Sequence, residues 1–227
     1  MDFLQQIAGK LVVSCQAQSG EPLHGSIYMV KMAQAAAMAG AAAIRAESPP
    51  DIAAIKAATS LPVLGLWKFE TDGGHWARIT PTFEAASQIA AAGADAIAIE
   101  ATPSPRPDGQ TLATTFALVH RKLGKLIVAD ISTLAEGLAA VRLGADAVAT
   151  TLAGYTSQSG GPRHQPDFEL LSALVAQCSV PVLLEGHVWY PEQAKEGLRR
   201  GAHAVVVGSA ITRPQLIAKR FVEAIYG

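Results

Sequence analysis

Two side chains in this sequence are of types that move protons at carbon. Lys68 follows the apolar run Pro62-Val63-Leu64-Gly65-Leu66, and Glu185 follows Pro181-Val182-Leu183-Leu184. Both stand where a buried strand meets polar surroundings. An epimerisation needs one acid–base group on each face of a carbon: one removes a proton α to a carbonyl, and the other returns a proton to the opposite face. Each group then needs a pKa near neutrality, with the amine pulled down and the carboxylate pushed up. Arg45 is expected to lower Lys68 by like-charge repulsion, and either Arg45 or Arg213 to stabilise the enolate oxygen formed between the two transfers. The same lysine suits a Schiff-base aldolase or isomerase, with Glu185 or Asp130 as proton shuttle. The structural alternative is a mutual Lys68–Glu185 ion pair, or two solvated charges, at the end of a fold.

The pattern extends beyond these two. Eight apolar runs are followed by Ser14 with Gln16, Arg45, Lys68, Glu100, Asp130, Thr150 with Thr151, Glu185 with His187, and Gly208 with Ser209. Two cations, three carboxylates and an amide would thus be directed at one mouth, whereas the opposite ends of the runs carry Gly-Ala, Leu-Pro and Val-Pro. Gly208-Ser209 leads into a helix start at Pro214, and a strand running through such a turn leaves backbone N–H groups pointing one way, which suits a phosphate. A tight turn with no ligand is the other reading. Glu185-Gly186-His187 would lie beside it, and loops after the last two strands often hold phosphate in barrel enzymes. The substrate expected is a phosphorylated sugar held with its reactive carbon between Lys68 and Glu185. The six histidines form no ligand cluster, so no metal is expected, and no Gly-x-Gly-x-x-Gly follows the first strand to hold a dinucleotide. Cys15 reads as a small buried residue rather than a nucleophile.

The elements that must carry these residues repeat. Gly40, Gly93, Gly144 and Gly201 each precede Ala and are spaced 53, 51 and 57 residues apart. Strand-like runs follow them at Ala41 to Ile44, Ala94 to Ile99, Ala145 to Ala149 and Ala202 to Val207. Between these fall Leu11 to Val13, Pro62 to Leu66, Leu126 to Ala129 and Pro181 to Leu184. Helical spacing is read over Tyr28 to Ala39, Asp51 to Thr59, Thr82 to Ala92, Leu112 to Leu123, Leu134 to Leu143, Asp167 to Ala176 and Pro191 to Arg200. Thr80-Pro81, Ser132-Thr133 and Tyr190-Pro191-Glu192 signal helix starts. Eight near-equal strand–helix units predict a (β/α)8 TIM barrel of one domain over residues 1–227, in preference to a doubly wound open sheet. Strands three and seven are diametrically opposed in such a barrel, which sets Lys68 and Glu185 across its mouth. Gly73-Gly74 and Gln158-Ser159-Gly160-Gly161-Pro162 read as mobile loops.

The chain has 227 residues, half of them hydrophobic, and a formal net charge of −1. Near-neutrality gives no support for nucleic-acid or anionic-membrane binding. No apolar run reaches the roughly 18 residues of a membrane span. The start, Met1-Asp2-Phe3-Leu4-Gln5-Gln6, has no basic segment of a secretory signal. Cys15 and Cys178 are expected at opposite ends of the barrel and unbridged, as in a cytoplasmic protein.

Taken together, these stretches resemble the N-acetylmannosamine-6-phosphate 2-epimerase family. The resemblance is carried by Val13-Ser14-Cys15-Gln16-Ala17, Gly20-Glu21-Pro22-Leu23-His24, Ile44-Arg45-Ala46, Lys68 and Arg106-Pro107-Asp108-Gly109. It continues through Ala129-Asp130-Ile131-Ser132-Thr133, Thr150 to Thr156, Glu185-Gly186, and Gly208 to Pro214. It implies reversible conversion of N-acetylmannosamine 6-phosphate to N-acetylglucosamine 6-phosphate in sialic acid breakdown, without metal or nucleotide cofactor. It further implies that Lys68 and Glu185 are catalytic, and that Gln16, Arg45, Asp130, Thr151 and Arg213 bind substrate. The backbone of Gly186, His187, Gly208 and Ser209 would hold the phosphate, and the protein would be a homodimer. The chain departs from the family pattern at Glu100, where Asp is usual, at His187, where Arg or Lys is common, and at Trp67, which is bulkier than usual. A catalytically silent sugar-phosphate-binding barrel is the non-enzymatic alternative.

Overall fold

The computed structural model describes residues 2–69, 78–161 and 164–227. Gly73-Gly74 and His75, and Pro162 of the second expected loop, lie outside the described residues. Eight parallel strands close into a barrel. In ring order they are β1 (Leu11–Cys15), β2 (Ala43–Glu47), β3 (Val63–Leu66), β4 (Ala96–Glu100), β5 (Leu126–Asp130), β6 (Ala147–Ala149), β7 (Val182–Glu185) and β8 (Ala204–Val207). β8 returns to β1 through Leu11↔Val205, Val12↔Val206 and Val13↔Val207, so the fold is the expected (β/α)8 barrel and the open sheet is excluded.

The helices are α1 (Phe3–Ile7), α2 (Ser26–Met38), α3 (Pro49–Ala58), α4 (Phe83–Ala91), α5 (Leu112–Leu118), α6 (Leu134–Arg142), α7 (Phe168–Gln177), α8 (Pro191–Arg199), α9 (Ser209–Thr212) and α10 (Pro214–Tyr226). α1 was not foreseen in the apolar pattern. Its Phe3 and Ile7 are buried under the amino end of the barrel, and His203 Nε2 contacts the Leu4 carbonyl at 2.8 Å. The expected helix over Leu112 to Leu123 is α-helical only to Leu118, then passes into a π turn over Val119–Leu123. The cap of α4 is Thr82, whose side chain accepts from the Ala85 N–H at 3.1 Å. Thr80 serves elsewhere.

The four Gly-Ala pairs end helices, as the glycine spacing predicts, but the alanine does not yet begin a strand. Each glycine has positive φ (88°, 101°, 101° and 96° at Gly40, Gly93, Gly144 and Gly201), the left-handed C′ position. The following alanine N–H reaches back to close the helix, as in Ala41 to the Ala36 carbonyl at 3.0 Å and Ala202 to the Gly197 carbonyl at 3.0 Å. That bond consumes the donor a ladder would need. β2, β4, β6 and β8 therefore start two residues later than the hydrophobic runs suggest.

Strand alternation then sorts side chains into two layers. Val12, Ala43, Leu64, Leu66, Ala96, Ala98, Val128, Ala147, Ala149, Leu183 and Val206 fill the interior, while Val13, Ile44, Ala46, Ile97, Ile99 and Val205 pack under the helices. Gly65 faces outward, and a Cβ there would lie 2.5 Å from the Ile89 side chain, so only glycine lets α4 sit this close. Continuing the inward phase past the last apolar layer yields Ser14, Arg45, Glu47, Lys68, Glu100, Asp130, Thr151, Glu185 and Gly208.

Candidate active site

A cavity of about 450 Å³ opens at the carboxyl ends of the strands. Lys68 and Glu185 both line it, with Ser14, Gln16, Arg45, Thr151, Arg213 and the Gly186-His187 and Gly208-Ser209 turns. β3 and β7 stand four places apart in the closed ring, so the amine and the carboxylate enter from opposite sides.

Lys68 does not end β3 as expected. β3 stops at Leu66, and Lys68 and Phe69 pair antiparallel with Ile79 and Arg78. Thr80, at φ 48°, welds this pair to the barrel: its N–H donates to the Trp67 carbonyl at 2.7 Å, and its hydroxyl accepts from the Trp67 N–H at 3.1 Å. Lys68 still follows Leu64 and Leu66 in phase and points inward. Burial pulls its amine below the ordinary lysine range. Arg45 and Arg213 push the same way, while Glu47 and Glu185 oppose them. The Glu47 carboxylate lies 3.8 Å from Nζ, so Lys68 pairs with Glu47 and not with Glu185.

Glu185 is held from beneath. Arg45, 1% exposed, crosses the interior from β2, and its guanidinium reaches Asp130 at 2.6 and 3.1 Å and Glu185 Oε2 at 3.0 Å. The small inward residues Ala43, Ala96, Ala98, Ala147 and Ala149 leave the volume that admits it. Thr151 Oγ1 lies 2.6 Å from Asp130 Oδ1 and 3.1 Å from Glu185 Oε2. Thr150 clamps the Glu185 backbone, accepting from its N–H at 3.0 Å and donating to its carbonyl at 2.8 Å. Burial lifts the Glu185 carboxyl to about 7, with the Asp130 charge adding to the rise and Arg45 and Thr151 restraining it. Burial disfavours the Arg45 charge, yet Asp130 and Glu185 together hold it above the ordinary arginine range.

The expectation of three carboxylates at one mouth is corrected. Glu100 is 4% exposed and turned away, accepting from the Thr102 hydroxyl and, at 3.4 Å, from the Ile79 N–H. Its in-phase carboxylate is captured by the segment that returns after the Lys68 pair. Asp130 is fully buried beneath the cavity floor, with its oxygens taken by Arg45 and Thr151. Cys15 is buried, and burial followed by the Asp51 charge pushes its thiol to about 12, unsuited to a nucleophile.

At the rim, Arg213 follows α9 and its guanidinium is held by Glu21, with Nε to Oε2 at 3.2 Å. Gln16 Nε2 donates to Ser14 Oγ at 2.8 Å. Gly186 and His187 both have positive φ (97° and 56°), which curls the chain tightly after β7. The His187 ring stacks on Tyr155 at 4.7 Å and contacts the Ala153 carbonyl. α9 begins at Ser209; the Ile211 and Thr212 N–H groups donate to the Gly208 carbonyl at 2.8 and 3.0 Å, and those of Ser209 and Ala210, ahead of them, have no intrahelical acceptor. Sequence reasoning missed Glu47 and Tyr155. The spacing Arg45-Ala46-Glu47 was a usable signal for Glu47, because residues two apart on a strand share a face. Tyr155 sits on a loop with no period to betray it. Among the described residues, no group of three or more His, Cys, Asp or Glu side chains is placed to hold a metal ion.

Fold and site together define a (β/α)8-barrel protein with opposed acid–base groups at the carboxyl mouth. Residues 29–227 match the NanE family model, described as "Putative N-acetylmannosamine-6-phosphate epimerase". Relatives named "Putative N-acetylmannosamine-6-phosphate 2-epimerase" include one from Caldanaerobacter subterraneus subsp. tengcongensis, 47% identical over 98% of this chain and 93% of its own. Another, from Enterobacter sp. strain 638, is 48% identical over 98% and 95%. The solved N-acetylmannosamine-6-phosphate 2-epimerase of Clostridium perfringens superposes with a TM-score of 0.93 at 44% identity, covering 99% of this chain and 96% of that one. The chain belongs to the NanE family. A thiamine phosphate pyrophosphorylase from Pyrococcus furiosus, 17% identical with a TM-score of 0.59 over 96% and 97%, shares the fold alone.

Proposed function

We propose that this chain is an isomerase, a cofactor-independent 2-epimerase that interconverts N-acetylmannosamine 6-phosphate and N-acetylglucosamine 6-phosphate in the breakdown of sialic acids. The observation that carries this reading is that Lys68, just past the end of β3, and Glu185, at the end of the opposed β7, line one cavity, the lysine drawn down and the carboxyl drawn up towards neutrality. In the ring-opened sugar the C2–H bond is α to the C1 aldehyde. One group takes that proton while the bonding electrons move into the enolate oxygen, and the other delivers a proton to the opposite face of C2. In the reverse direction the roles exchange. Arg45 fixes Glu185 from below, and Arg213 and Gln16 meet the sugar's polar groups at the rim. Thr151 completes the carboxylate's surroundings, and Asp130 acts through Arg45 and Thr151 rather than on substrate. The phosphate rests on the N–H groups of the Gly186-His187 and Gly208-Ser209 turns, and the sugar is the partner that fills the cavity.

The test is a proton NMR time course with N-acetylmannosamine 6-phosphate in heavy water. Deuterium should enter C2 of both epimers, and Lys68→Ala and Glu185→Gln should each lose about two to four orders of magnitude in exchange rate. Bound substrate with no exchange in the unaltered protein would leave a silent binding barrel. Borohydride trapping of substrate on Lys68 would favour the Schiff-base alternative.

The working form we propose is a cytoplasmic homodimer. No helix among the described residues is long and apolar enough to cross a membrane. α10 has no buried residue in the single chain and exposes Phe221, Val222, Ile225 and Tyr226. A helix that leaves four large apolar residues to water is suited to cover a second copy.

A further inference from the structure

Glu47 carries a buried carboxylate oxygen, Oε2, with no hydrogen-bond partner among the described residues. Two positions after Arg45 on β2, it lies on the same strand face, behind the cavity-lining Lys68. That oxygen is 3.8 Å from Lys68 Nζ, and the two side chains are 18% and 25% exposed. This separation is too long for a hydrogen bond and short enough for strong attraction to an ammonium group, and an approach of about 1 Å would satisfy the orphan oxygen. On the other flanks of Lys68 stand two guanidiniums, Arg45 and Arg213, both of which disfavour a second cation. Glu185, across the cavity, is committed to Arg45 and Thr151.

We propose that Glu47 is a positioning residue for Lys68: its carboxylate receives the ammonium group formed when the lysine takes the substrate proton and fixes the side chain at the cavity wall. The inference rests on the two-base reading of the site. In the step itself the C2–H bond breaks, its electrons pass to the enolate oxygen, and the proton forms a new N–H bond on the neutral amine. Glu47 takes up no proton. Burial raises its carboxyl above the ordinary value, and Lys68, through its charge and its backbone N–H, is the main influence holding it down; as the anion it supplies the counter-charge that the two arginines withhold. The charged and titratable groups facing Glu47 are Lys68, Arg45, Asp51 of α3 and His24 of the loop before α2, with Asp51 itself tied to the Ser26 hydroxyl.

The productive pair carries one proton between Lys68 and Glu185, so loss of that proton forms the alkaline limb of kcat/KM. Without the Glu47 charge the ammonium releases its proton more readily, and the limb moves to lower pH. The experiment measures acylation of Lys68 by acetic anhydride against pH, read by mass spectrometry, in the unaltered chain, Glu47→Gln and Glu47→Asp, with kcat/KM profiles alongside. Glu47→Gln should lower the labelling midpoint and the alkaline limb by about one pH unit or more. Glu47→Asp should restore both while kcat stays reduced, because the charge is kept and the reach shortened. An unmoved midpoint in Glu47→Gln overturns the proposal. So does equal loss of kcat in both variants with the limb in place, which marks a merely structural residue. Retained C2 exchange in Lys68→Ala would instead overturn the two-base reading on which this inference rests, while the labelling midpoint of Lys68 in the unaltered chain and the Glu47 variants, which needs no turnover, would still report the contact.

Discussion

Replacing Asp130 by Asn removes one negative charge from beneath Glu185 with almost no change of shape. The two carboxylates are joined through one hydroxyl, Thr151 Oγ1, by contacts of 2.6 and 3.1 Å, which puts their oxygens no more than about 6 Å apart. At an effective dielectric of about 20, two like charges no farther apart than that repel by at least roughly 3 kcal/mol, or about 2 pK units, which the Arg45 guanidinium between them offsets in part. Asp130 raises the Glu185 carboxyl, so the substitution should lower it from about 7 towards the ordinary range. Arg45 then has a single carboxylate partner and binds Glu185 more strongly, which acts in the same direction. The acid limb of kcat/KM, where Glu185 takes up a second proton for the pair, should move down by about one to two pH units. A stability loss of about 3 kcal/mol is expected as well, because a buried guanidinium loses an anionic partner. The assay is kcat/KM from pH 5 to 9, paired with the carboxyl titration of carbon-13-labelled glutamate. An acid limb that stays in place or moves upward would refute the network in which Asp130 sets Glu185 through charge.

Glu185 also makes folding stability depend on pH. Its folded carboxyl, at about 7, lies above its ordinary value of 4.5, so between those values the folded state binds more protons and stability falls as pH rises. The fall is about 3 kcal/mol for this group, and chemical denaturation at pH 5 and pH 8 should show Glu185→Gln with a smaller drop than the unaltered chain; equal drops would count against a carboxyl buried in this way. At the chain's last helix, Phe221→Asp with Ile225→Asp should convert a dimer to monomer in sedimentation equilibrium, since each side chain contributes about 1.5–3 kcal/mol when buried. A monomeric unaltered protein, or a doubly substituted dimer, would remove α10 from the interface.

The barrel and the ring of polar residues at its mouth were legible in the sequence because both depend on local periods. A helix ends at glycine because only glycine enters the left-handed region freely, and a strand alternates faces whatever surrounds it. Those two rules, applied along the chain, put Lys68 and Glu185 on opposed strands and brought Gly186 beside Gly208. They overran the strand starts by two residues because the alanine N–H after each glycine is taken by the helix, a bond that the hydrophobic pattern does not register.

Which polar group meets which was a tertiary decision. Alternation sends Glu100, Asp130 and Glu185 inward alike, yet Glu100 is captured under Ile79, Asp130 is sealed beneath Arg45, and Glu185 alone of the three lines the cavity. Arg45 reaches strands three places away because the alanines of the interior leave room for it, and that volume exists only once the ring has closed. Lys68 finds Glu47 rather than Glu185 because a hairpin-like pairing with Ile79 carries it off the end of β3. Sequence determines the face on which a charge appears. The distance to its counter-charge, and with it the pKa that makes chemistry feasible, is set by the closed barrel.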